Sequence, residues 1–83
     1  MIHNNEPNIF LDHRCHEISV GDLVVYNYSG EVAMGEVIER TTIHRYGRAR
    51  PRFKIKQTIP RSGHISTVMN AKNLMAVNEI KML

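Results

Sequence analysis

Residues 52–59 read Arg-Phe-Lys-Ile-Lys-Gln-Thr-Ile, an order that only an extended chain sorts into two faces. Side chains alternate across a strand, so Phe53, Ile55, Gln57 and Ile59 fall on one side, and Arg52, Lys54, Lys56 and Thr58 on the other. A helix would scatter both sets around its circumference. No window of the 83 residues holds a 3.6-residue apolar period through three turns, so no long helix is expected. The expectation is a single all-β domain. A chain of this length buries only roughly 60% of its unfolded surface, which leaves a small core and little room for an enclosed cavity.

The remaining segments fit that frame. Leu23-Val24-Val25-Tyr26 is a short β-branched and aromatic run and predicts a first strand, with Ser29-Gly30 as a tight turn after it. A second strand is expected over residues 31–42, bent or bulged at Gly35. Residues 43–51, with His44, Arg45, Tyr46, Gly47, Arg48 and Arg50, are expected to form a loop before the strand at 52–59. Pro60-Arg61-Ser62-Gly63 reads as a hairpin turn, residues 64–69 as a fourth strand, residues 70–73 as one helical turn, and residues 74–77 as a fifth strand. The predicted core is Val24, Val37, Phe53, Ile55 and Ile65, with Met34, Met69, Met75 and Met82 as adaptable filler. Residues 1–17 are expected to be an arm that docks through Ile9-Phe10-Leu11, with turn or disorder at residues 4–8. Residues 18–78 form the body, and residues 79–83 an apolar tail that suits packing or a homodimer.

Three segments carry a resemblance: Val20-Gly21-Asp22-Leu23-Val24-Val25, then Gly35-Glu36-Val37, then Asn70-Ala71-Lys72-Asn73-Leu74. In that order, over residues 18–78, they resemble the small five-stranded SH3-like barrels, among them the KOW and Tudor modules. The resemblance implies a barrel with one short helical turn before its last strand, and a binding role toward RNA, DNA or protein. The compact, basic, Met-rich chain is also similar to small accessory proteins of tailed bacteriophages, many of which bind nucleic acid or disarm host defence enzymes.

Charge is unevenly spread. Arg40, Arg45, Arg48, Arg50, Arg52, Lys54, Lys56 and Arg61 put eight of the eleven basic residues between positions 40 and 61, where no acid occurs. Seven of the eight acids precede position 40. A surface so divided attracts polyanions. Arg48, Arg50, Arg52, Lys54 and Lys56 recur at every second position. If the strand runs through them they share one side, about 6.6 Å apart. Cations on an edge strand also discourage aggregation, but five without an interspersed acid exceed that need. The expected nucleic-acid-binding residues are therefore Arg45, Arg48, Arg50, Arg52, Lys54 and Lys56 on phosphates, Tyr46 as a stacking surface, and Arg61 and Lys72 at the periphery.

Other chemistry finds less footing. His13, Cys15 and His16 cluster in the arm, while His44 and His64 stand apart, so the paired ligand spacings of a zinc site are absent and no metal or cofactor is expected. His3 places an imidazole near the amino terminus, where copper or nickel chelation by chance is the most it suggests. No Gly-rich phosphate loop, nucleophile elbow or paired carboxylates accompany the basic sector, and no catalytic residue is expected. One cysteine, no signal-like apolar run and no span of membrane length lead to the expectation of a soluble cytoplasmic protein, in a host cytoplasm if phage-encoded.

The function expected is non-enzymatic binding of nucleic acid, RNA ahead of DNA because no helix is available to enter a major groove. The alternative is an inhibitor or adaptor docking on a protein such as a ribonuclease toxin or defence nuclease, with RNA as a bridge between the two. A ribosome- or polymerase-associated factor is a third, implied by the KOW resemblance.

Overall fold

The computed structural model describes residues 8–77. It is all-β, as expected: five antiparallel strands make one sheet, and a single 3-10 turn is the helical element among the described residues. The strands are β1 (Leu23–Tyr28), β2 (Glu31–Arg45), β3 (Arg48–Ile59), β4 (Ile65–Val68) and β5 (Leu74–Ala76). The 3-10 turn, Ala71–Asn73, precedes β5, and the Asn70 side chain caps it by accepting the Lys72 N–H at 2.9 Å. Across the sheet the order is β4-β3-β2-β1-β5. Four strands thus form a meander, and the fifth returns beside the first.

The loop expected over residues 43–51 is instead a continuous hairpin. β2 runs to Arg45 and β3 begins at Arg48, so Tyr46 and Gly47 alone make the turn. Their φ angles are 54° and 74°. A two-residue hairpin of the primed type needs positive φ at both positions because its twist must match the strands. Glycine adopts that conformation freely, whereas Tyr46 is held in it by the pairing of Arg45 with Arg48. Pro51 is tolerated within β3 because β4 pairs only with residues 53–56, leaving that stretch of β3 with an open outer edge.

The bend expected at Gly35 is present. Gly35 pairs with Gln57 but Met34 pairs with Ile59, so Thr58 is an extra residue on β3. A Cβ on Gly35 would stand 2.6 Å from the Lys56 carbonyl oxygen and 2.7 Å from Ile55 Cγ2, closer than any side chain can come. The bulge also overturns one expectation: it rotates Ile59 out of the inner set, and Ile59 is 56% exposed. A second register shift, between Val37 and Glu39, leaves Ile38 unpaired.

The core is Ile18, Val24, Tyr26, Ala33, Val37, Phe53, Ile55, Ala71, Leu74 and Ala76, with Phe10, Tyr28 and Val68 packed against it. Ile65 is a correction. It pairs with Lys56 while Ser66 pairs with Ile55, so Ile65 follows the outer face and is 45% exposed. The methionines are a correction too. Met75 and Met34 flank Val25 on the outer face, Met69 is half-buried, and none of the three belongs to the core. Met82, like Ile80 and Leu83 of the tail, lies outside the described residues, as does most of the segment at residues 4–8.

The arm docks through its apolar cluster, as expected. The Phe10 ring meets Phe53 edge-on at 5.9 Å between centroids, and the Arg40 guanidinium lies 4.1 Å from the Phe10 centroid on another side. Arg40 Nη1 donates to Glu17 Oε2 at 2.9 Å and to the Ile18 carbonyl at 2.7 Å. Asp12, wholly buried, accepts the N–H groups of Arg14 and His16 at 2.9 Å and of Ala76 at 3.2 Å, and Arg14 Nη2 donates to the Ala76 carbonyl. One carboxylate therefore fastens the arm to β5.

Candidate functional site

Along β3 the side chains of Pro51, Phe53, Ile55 and Gln57 are buried, and Arg48, Arg50, Arg52, Lys54 and Lys56 stand on the other face. The five cations share one side. What stands beside them on β2 is decided by the bulge at Ile38. Arg45 pairs with Arg48, Ile43 with Arg50, Thr41 with Arg52, Glu39 with Lys54 and Glu36 with Lys56. Simple alternation along β2 would put Glu36, Ile38 and Arg40 on that face. The extra residue sends Glu39 there instead and turns Arg40 toward the arm.

The stripe is thereby divided. Lys54 Nζ lies 3.5 Å from Glu39 Oε1, and Lys56 has Glu36 directly across from it. Arg45, Arg48, Arg50 and Arg52 make no ion pair with any described residue. Arg45 and Arg48 are cross-strand neighbours, about 5.5 Å apart at Cα in the closing pair of such a hairpin. Like charges at that spacing repel, and a polyanion relieves the repulsion. Arg52 is half-buried, and its Nε–H is enclosed without a partner. Tyr46 projects from the turn, 95% exposed. The distal half of the β2–β3 hairpin thus presents four arginines and one free aromatic ring.

The peripheral residues separate. Lys72 borders a groove of about 320 Å³ that Arg48, Arg50, Pro51, Met69 and Leu11 also line, so the 3-10 turn brings it alongside the hairpin. Arg61 lies in the turn after β3, at the opposite end of that strand from Arg48. The sequence reading treats the two alike, and only the fold of the chain after β4 tells them apart. Met69 and Asn70, which border the same groove, carry no signal in the sequence that marks them.

The histidines and the cysteine are dispersed. His13 and Cys15 are exposed, with Cys15 at φ 62°, and the His16 N–H is spent on Asp12. His44 pairs with Ala49 in the hairpin, and the His64 ring tilts against Tyr28 at 4.9 Å. Among the described residues no group of three or more His, Cys, Asp or Glu is arranged to hold a metal ion. No described helix is long and apolar enough to cross a membrane.

Among the described residues, three groups are shifted from their ordinary values. Burial works to raise Asp12, but the backbone N–H groups of His16, Ala76 and Arg14, with the Arg14 charge, prevail and hold its carboxyl low. The hydrogen bond from Arg40 lowers Glu17. Burial pushes the Tyr26 phenol up, and the Ser66 hydroxyl beside it offsets part of this. None of the three belongs to the arginine cluster. Comparison with protein-family models, with curated proteins and with solved structures gives no match for this chain.

Proposed function

We propose that this protein binds single-stranded nucleic acid, RNA ahead of DNA, through the distal half of the β2–β3 hairpin, and that it does so as a binding module without catalysis. The observation that carries this reading is the set of unneutralised arginines, Arg45, Arg48, Arg50 and Arg52, on one face of an extended hairpin. Arginine presents a planar fork of donors suited to phosphate oxygens. Tyr46 at the tip offers a face on which a base stacks, and single-strand binders combine such a face with a basic track. Lys54 and Lys56, opposed by Glu39 and Glu36, have a lesser part, and Arg61 has none. The meander with a 3-10 turn before the returning fifth strand supports reading the fold as an SH3-like barrel, a scaffold compatible with this role.

The test is binding of an RNA strand of about ten nucleotides across a salt series. Four phosphate contacts give a slope of log affinity on log salt near −3, at roughly 0.7 per contact. An Arg45→Ala/Arg48→Ala/Arg50→Ala variant should lose most of the affinity and most of the slope. Binding that is insensitive to salt and to this variant would end the proposal.

A second reading, an inhibitor or adaptor that docks on a protein such as a ribonuclease toxin, is favoured by one observation. The outer edge of β3 before Phe53 pairs with no strand among the described residues, and an extended segment of a partner adds readily to such an edge. Affinity capture with and without nuclease treatment separates the two. A protein partner retained after digestion favours the second.

A further inference from the structure

The sheet order leaves a seam. β4 pairs with β3 alone, and β1 has β5 beside it only over Val24, Val25 and Tyr26. Where β1 runs on past Tyr26 and faces β4, neither strand has a strand partner on that side among the described residues. A cleft of about 460 Å³ occupies this place, lined by Tyr26, Asn27, Thr67, Val68, Met69 and Asn73. Its volume lies within the range of small-molecule sites, about 300–1,000 Å³.

Tyr26 lines the cleft and is 5% exposed, but its hydroxyl oxygen is enclosed beneath the surface, beside the Ser66 hydroxyl of β4. No lining residue is charged, whereas Thr67, Asn27 and Asn73 are polar and Val68 and Met69 apolar. A matching guest is neutral, has an apolar face, and carries both donors and acceptors at its edge.

Met69 lines this cleft and also the groove that holds Arg48, Arg50 and Lys72. A neutral polar cleft and a cationic groove thus adjoin across one flexible, polarizable side chain. We infer that the cleft takes a nucleobase splayed out of the bound strand, with the flanking phosphates crossing Met69 into the groove at Arg48, Arg50 and Lys72. This rests on the reading of the hairpin as a nucleic-acid binder, and it adds base contacts to what phosphate contacts alone provide. A base edge offers donors and acceptors to the exposed Asn27, Thr67 and Asn73 side chains, and its face suits Met69 and Val68.

The experiment compares an RNA strand of about ten nucleotides with an abasic strand of equal length and charge, at one salt concentration. The wild-type protein should bind the base-bearing strand about tenfold more tightly. Thr67 and Asn73 are exposed, so Thr67→Val/Asn73→Ala leaves the fold intact. That variant should lose the preference while keeping its affinity for the abasic strand. Amide resonances of residues 26, 27, 67–69 and 73 should shift with the base-bearing strand and not with the abasic one. Equal affinity for both strands overturns the inference and leaves the phosphate-binding reading standing. So does a preference that survives in the cleft variant and disappears in Tyr46→Ala, which would assign the base to the hairpin tip. Failure of both strands to bind overturns the phosphate-binding reading, and the inference falls with it.

Discussion

Lys54 Nζ lies 3.5 Å from Glu39 Oε1, and Glu39 reaches that position only because Ile38 is bulged out of the pairing between β2 and β3. Both side chains are partly exposed, so the pair adds at most about 1 kcal/mol to stability. Its larger effect is on charge. The run of five cations on β3 divides into three arginines, joined by Arg45 of β2 and without an ion pair among the described residues, and two lysines near the base of the hairpin that have acids across from them.

Removing the acid should therefore extend the basic track. Glu39→Gln is expected to raise affinity for single-stranded RNA about three- to tenfold, and to steepen the salt dependence by roughly 0.7 for one added phosphate contact. A salt titration of wild type and variant checks this. Unchanged or weaker binding would mean that Lys54 does not face the ligand.

Gly35 is fixed by contact with the facing strand. In Gly35→Ala the new Cβ would meet the Lys56 carbonyl oxygen and Ile55 Cγ2, and backbone cannot swing away as a side-chain end can. Loss of about 1–3 kcal/mol is expected from such overpacking, read as a lower urea midpoint. An unchanged midpoint would show that the bend relaxes freely.

Acid should loosen the arm first. The folded-state pKa values of Asp12 and Glu17 are lowered, so their contribution is complete above the ordinary carboxyl value of about 4 and disappears as pH falls through the lower folded values. Thermal scans between pH 7 and pH 2 are expected to show this decline at the acid end, and Asp12→Asn should flatten it. At neutral pH Asp12→Ala strands three backbone N–H donors and should cost about 2–3 kcal/mol. A pH profile identical in wild type and Asp12→Asn would remove Asp12 from the account.

Tyr26→Phe deletes an enclosed hydroxyl that has no partner. Stability of the free protein should stay level or rise by up to about 1 kcal/mol, since no hydrogen bond is lost. A marked fall in melting temperature would show that the hydroxyl is satisfied in solution.

Much of the fold was legible along the chain. Val24 and Tyr26, and Phe53, Ile55 and Gln57, alternate with outward residues, so the inner faces of β1 and β3 follow from period alone. The Ser29-Gly30 turn, the bend at Gly35 and the Asn70-capped turn are local chemistry and appear where expected. Ile59 and Ile65 were not legible in this way. Ile59 depends on Thr58 being the extra residue opposite Gly35, and Ile65 on which residue of β4 meets Lys56. The hairpin through Tyr46-Gly47 was missed because a tyrosine at positive φ is not a turn signal by itself.

By itself, the sequence determined that the chain is a β-protein, that Arg52, Lys54 and Lys56 share one side of one strand, and that Arg45, Tyr46, Arg48 and Arg50 lie just before them, because these are consequences of alternation and spacing within a single segment. Only the tertiary structure decided that the strand runs back to Arg48, which of those cations lack an ion pair among the described residues, that Lys72 joins them while Arg61 does not, and that an uncharged cleft adjoins their groove. The reason is that pairing register and bulges are set by long-range fit between strands, and one extra residue moves every side chain after it to the opposite face.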